Sequence, residues 1–559
     1  MTSNSTSVST RALWRYGFFN LVILVLIGLW FWQQNKPVML ADAQLPADGK
    51  LQCVSYAPYY GVGQSPFIKG FRVSQAQIDS DLQLLAKRSQ CVRIYSVSQG
   101  LDYVPEAASK IGLKVLMGAW IGWVKAENEI ELDLAIKRAN EYPGTVTGLV
   151  VGNEVLLRGE QTEKAMADYL HRAKQATKVP VTYADVWEFW LKHRKLESSV
   201  DFVTVHVLPY WEDDPQPVSN ALNHVNIVME KITHTFSKPI LIGETGWPSA
   251  GRHRNGSVPS AISQASYMRG FLQHAHEANW NYNVIEAVDQ PWKRVLEGAV
   301  GGYWGLYDTD LNPKFPFSGM MAERNDGCQP FYWAFAGLLL WLAIALVVGE
   351  RRIAALFGMV TLGASAGAMA MLQLDYLVIA CRDSIEWIAL GGINLVGLSI
   401  LLFLPALLTK HASNEGQQDS SQAVIRNGML ILVIGTAIAG LLLVPKSIVI
   451  EPWSKAMPSL GGFLYNLDGR YRDFPLSIYL LPVLQLSLGL WLLQLHGLIK
   501  TNWRYYRHIN LIALITMGVF LIVEPLNQQA YIWLILVILL AFSSWPVQTQ
   551  STVTPIKSA

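Results

Sequence analysis

The chain carries little charge for its length. Only 15% of its 559 residues are Asp, Glu, Lys or Arg, whereas a soluble domain carries about 25%. Hydrophobic residues make up 51% of the chain, and the mean hydropathy is +0.24. These values exclude a single soluble globular domain and indicate a membrane protein with a soluble part.

Cysteine, net charge and metal-binding motifs are also scarce. Four cysteines exclude a small disulfide-rich scaffold, and a net charge of +2 lacks the basic footprint of a nucleic-acid-binding protein. The sequence has no His-Glu-x-x-His, phosphate-binding glycine loop or Cys-x-x-Cys motif. His274 and His276 make a poor metal pair, because residues two apart on a helix face different directions. We therefore expect no nucleic-acid partner, no metal and no cofactor.

An apolar run at 16–32 follows Arg11 and Arg15. It is about long enough to cross a bilayer, which needs roughly 17–25 residues. A cleaved signal peptide is the alternative, because Ala41-Asp42-Ala43 resembles a cleavage site. That site lies far beyond the run, so an uncleaved anchor is favoured. Both interpretations export the segment that follows.

Residues 50–325 have the pattern of a soluble α/β domain. Apolar runs alternate with amphipathic stretches, which indicates repeated β/α units around a parallel sheet. Strands are predicted at 52–57, 91–96, 113–119, 147–153, 179–184, 202–207, 240–244 and 283–289, and helices at stretches such as 74–87, 128–140 and 162–175. This strand count over about 260 residues matches a (β/α)8 TIM barrel, which has about 250 residues.

Seven further apolar runs predict an all-α polytopic transmembrane domain over 330–546. They lie at 331–349, 353–372, 385–408, 429–445, 476–495, 509–524 and 530–545. Gly363 and Gly367 have the spacing that suits close helix packing in lipid.

The basic residues predict the orientation of these spans, because cytoplasmic loops are enriched in Lys and Arg. A cytoplasmic N-terminal segment, 1–15, places the following residues inside: Arg351, Arg352, Lys410, Arg426, Lys500, Arg504 and Arg507. The loop 446–475 is basic but falls outside. We therefore predict eight spans, a cytoplasmic tail at 547–559 and an exported soluble domain.

Two glutamates directly follow predicted strands. Glu154 ends the run Val150-Val151-Gly152-Asn153-Glu154, and Glu244 ends Ile240-Leu241-Ile242-Gly243-Glu244. In such barrels the catalytic residues lie at the carboxyl ends of the strands. Surface glutamates are the common alternative, but both residues follow apolar strands that should be buried. Two carboxyl groups beside one pocket are what glycoside hydrolysis requires, one as a proton donor and one as an ionised nucleophile.

The segment Gly243-Glu244-Thr245-Gly246-Trp247-Pro248 resembles the signature of glycoside hydrolase family 17, the β-1,3-glucanases and related glucan transglycosylases. Val151-Gly152-Asn153-Glu154-Val155 resembles the acid/base segment of that family. Tyr56, Arg93 and Tyr95 fall where the family has its first- and second-strand motifs.

The resemblance, over about residues 50–320, implies a retaining double displacement on a (β/α)8 barrel. Glu154 would be the general acid/base, Glu244 the nucleophile, and Asn153 would bind the sugar 2-hydroxyl. Plant members carry an Asn-Glu-Asn-type motif after the eighth strand, whereas this chain has Glu286-Ala287-Val288-Asp289-Gln290-Pro291-Trp292-Lys293. That variant resembles the bacterial membrane-bound branch, which implies transglycosylation, an inner membrane and a periplasmic catalytic domain.

Aromatic side chains cluster at the predicted strand ends: Trp120, Trp123, Trp187, Tyr210, Trp211, Trp247, Trp292 and Trp304. A flat ring can stack on a pyranose, and core packing is the alternative. Stacking is favoured for Trp247 and Trp292, and core packing for Trp187 and Trp190. The substrate-binding candidates are Asn153, Tyr56, Arg93, Tyr95, Tyr210, Trp247, Glu286, Gln290, Trp292 and Lys293.

Three functions remain open. The favoured one is a membrane-anchored enzyme that elongates or branches β-1,3-glucan, with some hydrolysis. The second is a plain endo- or exo-β-1,3-glucanase. The third is a sugar-binding component of a glucan synthesis or export assembly, against which intact Glu154 and Glu244 argue. One span would anchor a plain glucanase, so the extra spans favour coupling to a glucan synthase or export system. The other expected partners are β-glucan and the lipid bilayer.

The cysteines give a further expectation. Cys328 and Cys381 both fall outside in the predicted topology, where a disulfide can persist. A disulfide between them and two unpaired thiols are both open, because bridging needs Cα atoms within about 7 Å. Cys53 and Cys91 lie within predicted strands, and we expect them to be buried free thiols.

Overall fold

The chain forms two compact units. A computed structural model describes residues 8–408, 415–444, 472–495 and 503–544. The barrel unit is Pro37–Glu323, and the helical unit combines Met1–Lys36 with Arg324–Ala559. The predicted tail 547–559, most of the predicted outside loop 446–475, and the predicted inside residues Lys410 and Lys500 lie outside the described residues.

The barrel unit contains an eight-stranded parallel sheet with its strands in chain order. The strands, numbered β1 to β8, are Val54–Ser55, Cys91–Ile94, Lys114–Ala119, Val146–Asn153, Val181–Val186, Val203–His206, Ile240–Glu244 and Asn281–Tyr282. A parallel bridge between Val54 and Val284 joins the last strand to the first. The predicted (β/α)8 fold is therefore confirmed.

Helices connect the strands of this barrel. Numbered with the N-terminal helix α1 (Thr10–Asn35), they are α2 (Gln75–Leu85), α3 (Val104–Ile111), α4 (Lys125–Glu141), α5 (Glu163–Ala176), α6 (Trp187–Lys192), α7 (Val218–Thr235), α8 (Ala261–Glu277) and α9 (Arg294–Glu297). Ser74 and Thr162 are N-caps, because their hydroxyl oxygens accept from the N–H groups of Gln77 and Ala165. Helix starts were thus predicted within a few residues.

The eighth strand, Asn281–Tyr282, is shorter than the predicted 283–289 and ends just before it. Beyond Tyr282 the backbone leaves the regular sheet and bonds to two segments. Ala287 N–H donates to the Ser55 carbonyl over 2.8 Å, and Leu306 N–H donates to the Glu286 carbonyl over 2.8 Å. The hydrogen bond from Leu306 replaces regular strand pairing at Glu286, so the strand ends before this point. The hydrogen bond from Ala287 to Ser55 holds Glu286 beside β1.

Both cysteine expectations in the barrel were wrong. Cys53 and Cys91 form a disulfide, with their Cα atoms 4.3 Å apart. The parallel register that pairs Val54 with Val92 places the two preceding cysteines opposite each other. A separation of 38 residues in the chain gave no sign of this contact.

Of the two possibilities left open for Cys328 and Cys381, the disulfide is not formed. Cys328 is an exposed free thiol at the N-cap position of its helix, where its side chain makes no capping hydrogen bond. Cys381 is buried at the end of the following helix. The sequence placed both at one end of neighbouring spans, but it could not show that one side chain faces outward and the other lies in the packing.

The helical unit contains α1 and seven further apolar helices in its described part. These are α10 (Gln329–Val347), α11 (Ile353–Ala380), α12 (Ser384–Leu408), α13 (Glu415–Leu443), α14 (Leu476–Leu492), α15 (Trp503–Val523) and α16 (Gln528–Ser543). Six helices are long and apolar enough to cross a membrane by length and composition, and α14 and α16 are shorter. Gly363 and Gly367 of α11 contact Gly337 of α10, where any side chain would meet backbone atoms.

Candidate active site

Glu154 and Glu244 lie at the same rim of the barrel. Glu154 directly follows β4, and Glu244 ends β7. One carboxylate oxygen of each lies within 4.8 Å of the other and of a ring nitrogen of His206. Retaining glycosidases hold their two carboxyl groups about 5–5.5 Å apart, and inverting ones about 6.5–9.5 Å apart. The two oxygens are thus slightly closer than the retaining separation and well short of the inverting one.

The Glu244 carboxylate is buried and receives two donors. Arg93 Nη1 lies 3.3 Å from its Oε1, and the Tyr95 hydroxyl lies 2.9 Å from the same oxygen. Burial and the charge of Glu244 raise the pKa of Tyr95 well above its usual value, so the phenol keeps its proton and donates it. These two contacts fix the direction in which the carboxylate points.

Tyr95 is oriented in turn by a chain of side chains. Asn283 Nδ2 donates to Ser55 Oγ over 2.8 Å. Ser55 Oγ lies 2.9 Å from the Tyr95 hydroxyl, which donates to Glu244. Ser55 Oγ thus holds the Tyr95 hydroxyl beside Glu244, and Asn283 holds Ser55 Oγ.

Arg93 joins the ends of β4 and β7. Its side chain is 1% exposed, and Nη1 donates to the Gly243 carbonyl over 2.6 Å. Nη2 donates to Asn153 Oδ1 over 2.5 Å. The guanidinium therefore occupies the acceptor of Asn153, and the amide Nδ2 remains as the donor for a sugar hydroxyl.

His206, at the end of β6, lies between the two carboxylates. Its Nδ1 is 2.8 Å from Glu154 Oε1, and its Nε2 is 3.6 Å from Glu244 Oε1 and 3.4 Å from Arg93 Nη1. Because Arg93 can only donate, Nε2 carries the lone pair and Nδ1 carries the proton that points to Glu154. Sequence analysis missed this residue, although it lies one position before the end of the predicted strand 202–207, and both glutamates also lie at strand ends.

Glu154 is more exposed than Glu244 and adopts a left-handed backbone, with φ of 53°. Burial alone would raise the pKa of its carboxyl. The His206 hydrogen bond and the nearby Arg158 and Arg93 outweigh that effect and hold the pKa below its ordinary value. The carboxylate form is therefore favoured in the free protein.

Arg158 links Glu154 to an aromatic ring on the rim. Its Nη1 lies 3.8 Å from Glu154 Oε2, and its guanidinium lies over the Trp120 ring at 4.7 Å from the ring centre. Trp120 is 39% exposed. A half-exposed ring clamped beside the acid/base candidate is a suitable surface for a sugar.

Glu286, Lys293 and Glu297 form a second charged group. Lys293 Nζ lies 2.8 Å from Glu286 Oε2. Burial raises the pKa of Glu286 to about 7 despite Lys293, and the charges of Asp289 and Glu244 add to the rise. Burial likewise raises the pKa of Glu297 to about 7. This group can hold a proton near neutral pH, and sequence analysis missed Glu297.

Trp292 lies half-buried on the rim, where its ring packs against Phe67 and Tyr59 with centroid distances of 5.5 and 6.4 Å. Its Nε1 donates to Gln290 Oε1 over 2.7 Å. Gln290 is fully buried and donates from Nε2 to the Ala57 carbonyl over 2.6 Å. Gln290 therefore supports Trp292, and direct contact between Gln290 and the sugar stays a prediction.

Three aromatic substrate-binding candidates are also buried, and their contact with substrate stays a prediction. Tyr56 donates to Asp81 over 2.8 Å. The Tyr210 and Trp247 rings pack edge to face with centroids 5.9 Å apart, and both side chains are 0% exposed. Their large apolar areas are better removed from water in the core than held at the rim.

The Glu154, His206 and Glu244 cluster could offer three ligand atoms to a metal ion. Two features oppose a cation there. Arg93 already places a positive charge 3.3 Å from Glu244, and His206 presents Nδ1–H to Glu154. The donor set thus suits acid/base and nucleophilic chemistry better than metal binding.

Comparisons with known proteins agree on one segment. Residues 53–305 match the model of the BtgE/BtgC glycoside hydrolase domain. The Aspergillus flavus protein named "Probable beta-glucosidase btgE" is 26% identical over 268 residues, which is 46% of this chain and 42% of that protein. The chain thus spans less than half the length of such relatives.

Two other proteins are matched over nearly their whole length by about half of this chain. A glucan 1,3-beta-glucosidase of Arthroderma benhamiae is 25% identical, over 49% of this chain and 96% of its own length. The crystal structure of a family 17 β-1,3-glucanosyltransferase from Rhizomucor miehei is 23% identical with a TM-score of 0.43, over 48% of this chain and 98% of that one. The family model and the curated relatives therefore identify residues 53–305 as a segment that resembles glycoside hydrolase family 17, as its motifs predicted.

Proposed function

We propose that the barrel unit is an enzyme that acts on β-1,3-glucan. The observation that carries this proposal is the pair Glu154 and Glu244, with carboxylate oxygens within 4.8 Å at the carboxyl rim of the barrel. Relatives named glucan 1,3-beta-glucosidase and "Probable glucan endo-1,3-beta-glucosidase btgC" support β-1,3-glucan as the substrate class.

The mechanism we propose is a retaining double displacement. Glu154 donates a proton to the glycosidic oxygen while a Glu244 oxygen attacks the anomeric carbon, and the bond to the leaving sugar breaks. The buried position of Glu244 and its donors Arg93 and Tyr95 suit a fixed, ionised nucleophile. Glu154 then takes a proton from the incoming hydroxyl, which attacks the glycosyl-enzyme ester and frees Glu244.

We propose that transfer to another glucan is the main outcome, with some hydrolysis. Transfer requires that a sugar, rather than water, is held on the leaving-group side of Glu154. Trp120 and Arg158 support this. The Arg158 guanidinium lies over the exposed Trp120 ring and close to the Glu154 carboxylate, so the ring stands beside Glu154 where an acceptor sugar can stack. Asn153, with its donor amide, is proposed to bind the 2-hydroxyl of the reacting sugar.

The enzyme is proposed to be anchored in a bacterial-type inner membrane, with the barrel unit in the periplasm. Six helices of sufficient length and apolarity support the membrane location. The Cys53–Cys91 disulfide supports an oxidising compartment for the barrel unit. A glucan synthase or an export system is the proposed partner of the remaining helices.

The test uses the full chain in detergent micelles with laminari-oligosaccharides of one length. Transfer gives products longer than the starting chain with no net gain of reducing ends. A plain glucanase gives shorter products with a matching gain of reducing ends. Glu154→Gln and Glu244→Gln serve as matched controls, and equal product formation by wild type and both variants would overturn the proposal.

A further inference from the structure

The turn that carries Glu154 is in a conformation that needs support. Glu154 has a left-handed φ of 53°, which is disfavoured for a residue with a Cβ atom. Such backbones persist where surrounding contacts impose them. The contacts that impose this one determine where the carboxyl group lies.

Three consecutive residues of β5 hold the turn. Ala184 accepts from Glu154 N–H over 2.8 Å. The Tyr183 hydroxyl accepts from Leu156 N–H over 2.9 Å, and Asp185 Oδ2 accepts from Leu157 N–H over 3.4 Å. The turn is therefore hydrogen-bonded to β5 at Glu154 itself and at the second and third residues after it.

The side chains of Tyr183 and Asp185 depend on each other. The Tyr183 hydroxyl donates to Asp185 Oδ2, and Val186 N–H donates to Asp185 Oδ1 over 2.8 Å. Both carboxylate oxygens thus act as acceptors, and the hydroxyl is turned so that its lone pair faces Leu156. An amide in place of the Asp185 carboxylate would turn an NH2 group toward the Tyr183 hydroxyl or toward a backbone N–H, and each of these groups itself donates to Asp185.

Neither side chain can touch a bound sugar, because Tyr183 is 1% exposed and Asp185 is 0% exposed. The Tyr183 ring packs against Trp190 with centroids 5.8 Å apart. Burial raises the pKa of Asp185 to about 6, and the charge of Glu154 adds to the rise. The pair thus lies behind the acid/base candidate rather than in the pocket.

We infer that Tyr183 and Asp185 are positioning residues for Glu154, and that they act through the N–H groups of Leu156 and Leu157. The inference rests on the proposed function, because it gives Glu154 the acid/base role. Loss of the Tyr183 hydroxyl leaves the buried N–H of Leu156 without its acceptor, and loss of the Asp185 carboxylate removes the acceptor of Leu157 N–H. The turn then shifts, and a displacement of the acid by about 1 Å is enough to slow proton transfer by up to about 10²-fold.

The experiment compares Tyr183→Phe and Asp185→Asn with wild type, as full-length proteins. Tyr183→Phe keeps the ring and removes only the hydroxyl. Tyr103→Phe is the matched control, since Tyr103 also bonds an aspartate, Asp79 Oδ1, over 3.2 Å and has no place in the proposed site. The kcat and KM values are measured on a laminari-oligosaccharide and on a 2,4-dinitrophenyl β-glucoside donor, whose leaving group needs no proton.

For both variants we expect kcat on the oligosaccharide to fall about 10-fold or more, with KM within about 3-fold of wild type. On the dinitrophenyl donor kcat/KM, which reports formation of the glycosyl-enzyme, should fall by less than about 3-fold, because that step needs no proton donation there. Tyr103→Phe should match wild type on both donors.

An equal loss of kcat/KM on both donors would overturn the inference, because it would indicate a general structural role. Full activity of Tyr183→Phe on the oligosaccharide would overturn it as well. If Asp185→Asn does not fold, Tyr183→Phe decides the matter alone. Inactivity of the wild type on both donors would instead overturn the proposed function, and this inference with it.

Discussion

The imidazole of His206 donates to Glu154 across 2.8 Å, so the charge state of the acid/base candidate is coupled to a histidine behind it. The same ring faces Glu244 and Arg93 through Nε2. One histidine therefore separates the two carboxylates and contacts both.

His206→Ala should raise the pKa of Glu154, because the hydrogen bond from His206 is the largest of the effects that lower it against burial. A general acid works only when protonated, so kcat/KM on laminari-oligosaccharides falls as the pH rises through this pKa. In the variant that fall should occur at higher pH than in wild type. His193→Ala is the control, since His193 bonds Glu163 over 2.6 Å away from the proposed site. An unmoved pH profile in His206→Ala would contradict the assignment.

Glu244→Gln should abolish turnover of every donor, because no other group is placed to form the glycosyl ester. Glu154→Gln should lose about 10²–10⁴-fold on laminari-oligosaccharides. It should keep glycosyl transfer onto Glu244 from a dinitrophenyl donor, measured as a burst of dinitrophenolate. Identical responses of the two variants to the dinitrophenyl donor would contradict the division of roles.

Glu286 should make the barrel unit less stable as the pH rises toward neutrality. Its folded pKa of about 7 exceeds the ordinary value of 4.5. The folded state therefore binds the proton more tightly, and the stabilisation is complete below about 4.5 and is lost as the pH rises through about 7. Glu286→Gln should flatten the change in melting temperature over this interval. Scanning calorimetry of both proteins at several pH values tests this, and parallel curves would contradict it.

The Cys53–Cys91 disulfide should be present in protein isolated from membranes. After alkylation without reduction, mass spectrometry should find these two cysteines linked and Cys328 alkylated, in line with its exposure. Reduction should destabilise the barrel unit by about 2–4 kcal/mol. Alkylation of Cys53 and Cys91 before reduction would contradict the disulfide and weaken the case for an oxidising compartment.

The sequence could locate Glu154 and Glu244 because each directly follows an apolar run, and strand order alone then brings them to one rim. It could not show the disulfide, since Cys53 and Cys91 meet only through the register of β1 and β2. The burial of Trp247 was equally hidden. The position of that residue beside Glu244 favoured sugar contact, while its ring is packed into the core.

His206 and Glu297 show a second limit of sequence. His206 lies one position before the end of the predicted strand 202–207. Its place near a strand end was visible in the sequence, but only carboxylates at strand ends were treated as candidates. Glu297 lies in the short helix α9 beyond the last strand, in a segment with no strong pattern. Its proximity to Lys293 and Glu286 depends on an irregular backbone that hydrophobic periodicity does not describe.

The most direct test of the account is covalent trapping of the nucleophile. The full-length protein is incubated with the dinitrophenyl glycoside of a 2-deoxy-2-fluoro-β-glucosyl donor, and its peptides are examined by mass spectrometry. Because Glu244 is the proposed nucleophile, we predict one fluoroglycosyl adduct, on the peptide that contains Glu244, and none in Glu244→Gln. An adduct on Glu154 or Glu286, or continued turnover of laminari-oligosaccharides by Glu244→Gln, would contradict it.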